Sequence, residues 1–292
     1  MDQKRAATRI FCLIARKAPV GVVFRRGPSK QVQLLRWDLK RDVFEPGQWL
    51  KGRIYERRCD LSPSGRLLIY FAASNKPPLH TWTAVSRPPF LTALVLWPKG
   101  DAWGGGGLFQ NERKILLNHR VGEQKLDARF RLPRKLRVEP LGEHAGGGED
   151  DPIFATRLER DGWRLVDQGV EKKHPYGSEI WFEYDPPVTW VRRHAGGARE
   201  LVMELRGIKQ REGPWYVLSF RMRGPQGEVD LGACDWADLL PGGDVAFARD
   251  GRIYRCGEAE DPSGREPLVD LRDNVFEEMA PSPEARQWPK VR

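Results

Sequence analysis

A run of basic residues at positions 111–137 is the part of this sequence that most directly predicts a binding chemistry. It holds nine Lys and Arg residues against three Asp and Glu residues. Arg129 and Arg131 alternate with other residues as in a strand that carries its charges on one face. Such a face attracts phosphate or carboxylate groups, although an ordinary solvated strand face has the same pattern. The candidate binding residues in this run are Arg113, Lys114, Arg120, Arg129, Arg131, Arg134 and Lys135.

A glycine run, Trp103-Gly-Gly-Gly-Gly-Leu-Phe109, has the backbone freedom to approach a phosphate. A phosphate-binding loop also requires Lys followed by Ser or Thr and the start of a helix, and neither follows here. The flanking aromatic residues favour a tight structural loop beneath Trp103 and Phe109. Trp103 is still a candidate binding residue, because this loop could lie on a binding face.

His174 lies in the cationic stretch Lys172-Lys-His-Pro-Tyr176 and is a further candidate for binding. The preceding Glu171-Lys172-Lys173 has the acid-x-lysine order of many metal-dependent nucleases, with Asp161 or Asp167 as the second acid. Three-residue patterns of this kind are common by chance. The five histidines show no spacing typical of metal ligands. We therefore predict no catalytic residue, no metal and no cofactor.

The distribution of charge separates the two ends of the chain. The 292 residues carry a net charge of +9. Residues 1–60 hold 15 basic and 6 acidic residues, whereas residues 223–292 hold 9 and 15. This distribution has two interpretations: the oppositely charged ends attract each other, or the basic regions bind an anionic partner. The four cysteines are too few and too scattered for a disulfide framework, and no apolar stretch has the length of a membrane span. Buried free thiols, a cytoplasmic location and no membrane partner are expected.

Three turn motifs predict an all-β chain of short antiparallel strands. They are Asp60-Leu-Ser-Pro-Ser-Gly65, Asp161-Gly162 and Asp250-Gly251, each followed by an apolar or alternating run. An Asp-Gly pair supplies the positive φ angles of a two-residue hairpin. Residues 66–73 and 91–97 are apolar almost throughout, as in strands that are covered on both faces.

The remaining segments fill in the predicted arrangement. Residues 153–160 and 163–166 are expected to form a hairpin around Asp161-Gly162, as are residues 180–184 and 188–192 around the Asp-Pro-Pro at 185–187. Residues 115–117 and 129–132 are weaker strand predictions. Residues 111–119 are the one stretch long enough for a helix, and residues 274–279 could form a helical turn. The Gly- and Asp-rich residues 141–152 indicate a surface loop or linker.

Residues 60–70 and 235–254 each contain a turn followed by a strand, and Leu34-Leu-Arg-Trp-Asp38 is a strand that ends in Trp-Asp. These segments resemble degenerate β-propeller repeats of the WD and TolB-like type found in bacterial proteins, in which such a turn and inner strand begin a blade and another strand ends in Trp-Asp. A blade needs about 40–45 residues. The repeats have no fixed period, and no Gly-His precedes the Trp-Asp. The resemblance implies a scaffold that presents loops to a partner.

The expected fold is therefore an all-β, propeller-like domain of about five to seven irregular blades over residues 1–279, followed by a tail at 280–292 with little to bury. A large β-sandwich is the alternative. The expected function is non-enzymatic binding of a protein partner on a propeller face. The alternatives are a nucleic-acid-binding module that uses residues 1–60 and 111–137, and a metal-dependent hydrolase or nuclease with its site in the propeller channel.

Overall fold

The structure, a computed structural model, has β-strands as its main regular secondary structure. It describes residues 8–27, 30–194, 199–209, 211, 213–225, 227–257 and 264–290. Strands account for 48% of the chain and helix for 6%, which confirms the all-β prediction. The strands of the described residues form five sheets, none of which closes into a barrel. A multi-sheet, sandwich-like fold is consistent with this arrangement, and the propeller stays a prediction.

The chain divides into two compact units. Unit 1 comprises residues 1–157 and 273–292, and unit 2 comprises residues 158–272. Unit 1 contains three of the sheets, and unit 2 contains the other two. The C-terminal segment therefore belongs to the same unit as the N-terminal half of the chain.

Sheet 1 is a four-stranded antiparallel meander in unit 1. Its strands, in spatial as well as chain order, are β1 (Arg9–Ile14), β2 (Val20–Arg26), β3 (Gln31–Asp38) and β4 (Val43–Lys51). Asp42 has a φ of 52° in the turn between β3 and β4. Its carboxylate accepts a hydrogen bond of 3.1 Å from Trp37 Nε1, so the buried Trp37 fixes this turn.

Sheet 2 contains the apolar runs that the sequence predicts to be covered on both faces. Its strands are β5 (Arg53–Ile54), β6 (Asp60–Leu61), β7 (Leu68–Lys76), β8 (Leu79–Ser86) and β9 (Val95–Pro98). Gly65, with a φ of 71°, closes the predicted turn between β6 and β7 by donating to the Ser62 carbonyl at 2.8 Å. Residues 68–73 are at most 3% exposed, which confirms the predicted two-sided burial. The predicted strand at 91–97 begins only at Val95.

Sheet 3 corrects two of the sequence predictions. Its strands are β10 (Gly107–Asn111), β11 (Lys114–Leu117) and β12 (Arg137–Pro140). β10 and β11 form an antiparallel hairpin where a helix was expected over 111–119, and β11 confirms the weaker strand prediction at 115–117. No strand forms at 129–132. The helix prediction was wrong because Ile115 and Leu117 are both 0% exposed while Lys114 and Leu116 are partly exposed. This two-residue alternation is that of a strand.

The three sheets of unit 1 pack on one another in chain order. The side chains of β7 alternate between two cores. Leu68 and Tyr70 pack in a core that includes Phe24 of sheet 1, and Ile69 packs in a core that includes Phe109 of sheet 3. Sheet 2 is therefore buried on both faces along residues 68–73 of β7, which is why these residues are all apolar.

The C-terminal segment of unit 1, residues 273–290, packs against the sheets of this unit. Gln48 donates to the Met279 carbonyl at 2.9 Å, and Ala285 is 1% exposed. Trp288 packs against the core between sheets 2 and 3. The expectation that residues 280–292 have little to bury was therefore wrong for the part that the structure describes, since residues 291–292 lie outside it. Residues 274–279 form no helical turn.

Helix α1 (Ile153–Arg160) replaces the strand that was expected before Asp161-Gly162. Gly162 has a φ of 91° and donates to the Glu159 carbonyl at 3.1 Å. A glycine with positive φ ends helices as readily as it closes hairpins. The dipeptide was thus interpreted wrongly because both structures demand the same backbone angle.

Sheet 4 is the larger sheet of unit 2. Its strands are β13 (Trp163–Asp167), β14 (Glu171–Lys173), β15 (Ile180–Arg193), β16 (Glu200–Lys209), β17 (Tyr216–Gly224) and β18 (Gly227–Asp230). The hairpin expected around residues 185–187 is instead part of the single strand β15. Backbone hydrogen bonds to β15 continue across the two prolines. The Val170 carbonyl accepts the Asp185 N–H at 2.9 Å, and the Val170 N–H donates to the Pro186 carbonyl at 3.1 Å.

Sheet 5 is a four-stranded antiparallel sheet in unit 2. Its strands are β19 (Trp236–Leu239), β20 (Val245–Arg249), β21 (Arg252–Cys256) and β22 (Val269–Asp270). Asp250 and Gly251 have φ angles of 51° and 72° in the β20–β21 turn, so this hairpin prediction is confirmed. The four cysteines are buried and free, also as predicted.

Candidate anion-binding surface

Pairing between distant strands gathers basic side chains at one end of sheet 3. β11 and β12 are parallel, with Lys114 opposite Arg137. The Arg113 carbonyl accepts the Arg137 N–H at 2.8 Å, and the Pro133 carbonyl accepts the Leu136 N–H at 2.9 Å, which closes the turn before β12. The five cationic residues brought together here, called the basic cluster below, are Arg113, Lys114, Arg134, Lys135 and Arg137.

The positive charge of the basic cluster is largely unneutralised. Lys114 forms an ion pair of 2.6 Å with Glu139. The other four side chains are exposed and make no ion pair with the residues that the structure describes. The nearby Glu112 is engaged elsewhere, since it accepts the Ser64 backbone N–H at 2.5 Å. Several like charges held on one rigid sheet end create a positive potential that an anion relieves.

A cleft with a volume of about 260 Å³ lies in unit 1 beside the turn before β7. Glu112 connects the basic cluster to this cleft, because it precedes Arg113 in the chain and its carboxylate accepts the backbone N–H of Ser64 in the cleft wall. Residues 282–285 of the C-terminal segment contribute another part of the wall. The polar and charged side chains that line the cleft are Arg36, Glu45, Ser64, Arg66, Arg87, Ser282 and Glu284.

The three guanidinium groups of the cleft keep most of their donors available. Arg36 lies 3.7 Å from Glu45 across sheet 1. Arg66 donates to Ser64 Oγ at 3.2 Å and to the carbonyl of Lys290 at 3.1 Å. Arg87 Nη1 donates to the carbonyl of Glu284 at 2.8 Å. Each guanidinium has five N–H donors, so these contacts position the arginines without exhausting them.

Two of the predicted binding residues are engaged within their own loop. Arg129 binds both carboxylate oxygens of Asp127, at 2.9 and 3.0 Å. This contact lowers the pKa of Asp127 to about 2 and raises the pKa of Arg129. Arg131 Nη1 donates to the carbonyls of Ala128 and Phe130. The predicted charged strand face is therefore wrong for this pair, because each arginine folds back onto nearby acceptors.

Arg120 and Trp103 lie away from the basic cluster, at the opposite end of β11. Arg120 follows β11, whereas Arg113 precedes it. A side chain at Gly146 would collide with Arg120, and Gly146 in turn lies against Gly104, the neighbour of Trp103. Trp103 is 50% exposed.

The glycine run is a structural loop and not a phosphate cradle. Gly104, Gly105 and Gly106 have φ angles of 70°, 85° and 82°. Their N–H groups donate at 2.8 Å to the carbonyls of Gly148 and Asn118 and to Thr83 Oγ1, respectively. A Cβ atom on Gly105 would lie 2.3 Å from the ring of Phe71. All three donors are thus used inside the protein, which supports the structural interpretation of this motif.

Arg58 is a buried residue that sequence reasoning missed. It is 2% exposed and lies over the rings of Tyr55 and Phe71. Its Nε donates to Asp150 at 2.8 Å, and its Nη1 donates to the Gly104 carbonyl at 2.6 Å. Arg58 therefore ties the glycine loop to the predicted surface loop at 141–152. Nothing in the local sequence distinguishes it from Arg53, which is exposed.

His119 and Thr83 form a second buried polar pair beside this loop. Both are 0% exposed, and His119 Nε2 lies 2.8 Å from Thr83 Oγ1. His119 Nδ1 lies 3.2 Å from the Glu123 carbonyl. Because a carbonyl only accepts, Nδ1 carries the proton and Nε2 accepts from the hydroxyl. Burial lowers the pKa of His119 to about 4. The pair has the geometry of a base and a hydroxyl, but neither group reaches solvent.

His174 is the one candidate that lies in unit 2. It follows β14, is partly exposed, and its Nε2 lies 3.1 Å from Glu183. In the acid-x-lysine motif, the Nζ of Lys173 lies 5.8 Å from the centre of the Phe182 ring. Asp161, one of the two possible second acids, pairs with Arg160 at 2.8 Å. Within the residues that the structure describes, no three His, Cys, Asp or Glu side chains are grouped as metal ligands.

The described part of the chain contains no helix long and apolar enough to cross a membrane. No protein-family model, no curated protein and no solved structure matches this sequence.

Proposed function

We propose that the protein is a non-enzymatic binding protein whose basic cluster holds the phosphate backbone of a nucleic acid. The observation that carries this proposal is the set of five cations at one end of sheet 3, of which only Lys114 forms an ion pair in the described structure. Three of the five are arginines, whose planar guanidinium groups bind phosphate oxygens in pairs.

The position of the cluster supports a phosphate backbone rather than a base-reading site. The cations lie in the β10–β11 turn, in the turn before β12 and at the first positions of β11 and β12, at one end of a rigid sheet. Contacts of this kind fix a nucleic acid in place without reading its sequence. The predicted basic region at residues 1–60 contributes Arg36 to the adjoining cleft. Residues 1–7 and 28–29 of that region lie outside the described residues.

A charge-removal experiment tests this function. Arg134→Ala with Lys135→Ala removes two exposed cations that make no ion pair among the described residues. Arg164→Ala with Arg211→Ala, in unit 2, removes the same charge from outside the cluster. Fluorescence anisotropy with a labelled duplex should show binding that is weakened by at least tenfold in the first variant. Equal weakening in both variants, or in neither, contradicts the assignment. Binding of an acidic protein in place of the duplex would identify the other class of anionic partner.

A second candidate, a protein partner, is favoured by the apolar surface of unit 2. Tyr176 is 94% exposed, and Val170 and Val166 are 55% and 50% exposed. Val166 lies in β13, and Val170 and Tyr176 lie in the segments on either side of β14. Exposed apolar side chains that form a contiguous patch are typical of protein interfaces. The successive packing of sheets 1 to 3 supports the propeller-like frame that the sequence resembles, since propellers repeat small sheets in chain order. Affinity capture compared between the wild type and Val166→Ser/Val170→Ser should lose a specific partner in the variant. A partner list that does not change contradicts this second function.

A further inference from the structure

The cleft in unit 1 has a lining chemistry that the basic cluster does not explain. Arg36, Arg66 and Arg87 reach it from sheet 1, from the turn before β7 and from the end of β8. Ser64 and Ser282 add two hydroxyl groups, and Ser282 comes from the C-terminal segment. Three guanidinium groups and two hydroxyls around one small cavity match the acceptor-only oxygens of a phosphate group.

Two carboxylates on the same lining limit what the ligand can be. Glu45 and Glu284 line the cleft with the arginines, so the net charge of the lining is close to +1. A bare anion such as inorganic phosphate meets repulsion from both acids. A ligand that also carries hydrogen-bond donors satisfies them, as sugar hydroxyls or base N–H groups do.

The apolar lining and the volume narrow the ligand further. Phe90, Pro88 and Pro89 form the remaining wall, and aromatic rings bind nucleobases by stacking. The volume of about 260 Å³ lies just below the range of cavities that hold drug-sized molecules. It therefore suits one mononucleotide unit and not a longer stretch of a strand.

We propose that this cleft binds a nucleoside 5′-phosphate unit, with the phosphate on the arginines, the base against Phe90 and donor groups of the nucleoside on Glu45 and Glu284. The unit can come from a free mononucleotide or from the 5′-phosphorylated end of a strand. The site is separate from the basic cluster and requires none of its residues.

Isothermal titration calorimetry of the full chain with 5′-AMP and 5′-GMP tests the proposal. Arg36 is the most suitable residue to change, because its one ion pair spans 3.7 Å and its side chain is 37% exposed. Arg36→Gln should weaken nucleotide binding by about 10- to 100-fold, the value of a charge-assisted hydrogen bond. Arg41→Gln is the matched control, since Arg41 follows on the next turn of sheet 1, outside the cleft. It should bind as the wild type does.

The ligand series separates the parts of the proposal. Adenosine should bind at least tenfold more weakly than 5′-AMP, and inorganic phosphate should also bind more weakly. Phosphate that binds as tightly as 5′-AMP would overturn the nucleoside assignment, and no heat of binding with either nucleotide would overturn the site. A 5′-phosphorylated trinucleotide that binds tighter than both 5′-AMP and its 5′-hydroxyl form identifies the strand end as the source. Tighter binding of 5′-AMP identifies the free nucleotide.

The same proteins distinguish a failure here from a failure of the proposed function. Arg134→Ala/Lys135→Ala should bind 5′-AMP normally while it loses duplex affinity. Arg36→Gln should lose affinity for 5′-AMP and bind the duplex normally. If each variant lost affinity for both 5′-AMP and the duplex, the two sites would not be separate.

Discussion

The buried imidazole of His119 should make the stability of unit 1 fall between pH 6.5 and pH 4. An unfolded histidine has a pKa near 6.5, whereas burial lowers that of His119 to about 4. The unfolded chain therefore binds the proton first as the pH falls. Stability is fully present above pH 6.5 and is lost progressively down to about pH 4. The gap between the two pKa values corresponds to roughly 3 kcal/mol in all, of which roughly 2 kcal/mol is lost by pH 5.

Neighbouring charges modify this loss without reversing it. Lys99 disfavours the imidazolium, while Glu123 and Asp101 favour it. The Lys99 ammonium pairs with both acids, at 2.7 and 2.9 Å from Glu123 and Asp101. Since this ion pairing already balances the carboxylates, desolvation remains the largest influence on the imidazole.

Urea unfolding at pH 7.0 and pH 5.0 measures the effect, with His119→Gln as the test and the exposed His144→Gln as the control. The wild type and His144→Gln should lose about 2 kcal/mol more than His119→Gln between these pH values. Equal pH dependence in all three proteins would refute the reasoning. If His119→Gln does not fold, an NMR titration of the wild-type protein gives the pKa of the His119 imidazole directly. A pKa near 6.5 would also refute the reasoning.

Three further outcomes follow from the packing. Gly105→Ala should lower the free energy of unfolding by about 3 kcal/mol, measured by thermal unfolding. The new Cβ would collide with the ring of Phe71, and the φ of 85° at this position disfavours any residue with a Cβ. Gly122→Ala, which has open space around it, should destabilise the protein far less. The buried thiols, including Cys234 with a pKa raised to about 12 by burial, should react with a thiol reagent at pH 8 only after unfolding, and rapid reaction of the folded protein would contradict their burial. Trp288→Ala should release the C-terminal segment, so that limited proteolysis cuts after residue 272 faster than in the wild type.

The predictable part of the fold is the part that local chemistry determines. The Asp250-Gly251 hairpin and the doubly buried strand β7 follow from turn angles and from apolar runs alone. Asp161-Gly162 shows the limit of such reasoning. Its glycine supplies the same positive φ to the end of α1 that a hairpin would have required. What precedes the dipeptide decides between the two structures, and that choice depends on tertiary packing.

The candidate surface was predictable only in its composition. The basic run at 111–137 is visible in the sequence, and four of its predicted residues belong to the basic cluster. The pairing that places Arg137 beside Lys114 joins parallel strands 20 or more residues apart, which no local pattern shows. The cleft depends on a wall at residues 282–285, more than 200 residues from Arg36. Long-range closure of this kind leaves no periodic signal in a single sequence.

The salt dependence of duplex binding tests the central claim most directly. If the five cations of the basic cluster each neutralise one phosphate, the logarithm of the binding constant should fall with the logarithm of salt concentration with a slope of about −4.5. Affinity should then drop by about 500-fold between 50 and 200 mM salt, and Arg134→Ala/Lys135→Ala should reduce the magnitude of the slope by about 2. Binding that does not change with salt, or a variant slope equal to that of the wild type, would contradict the account.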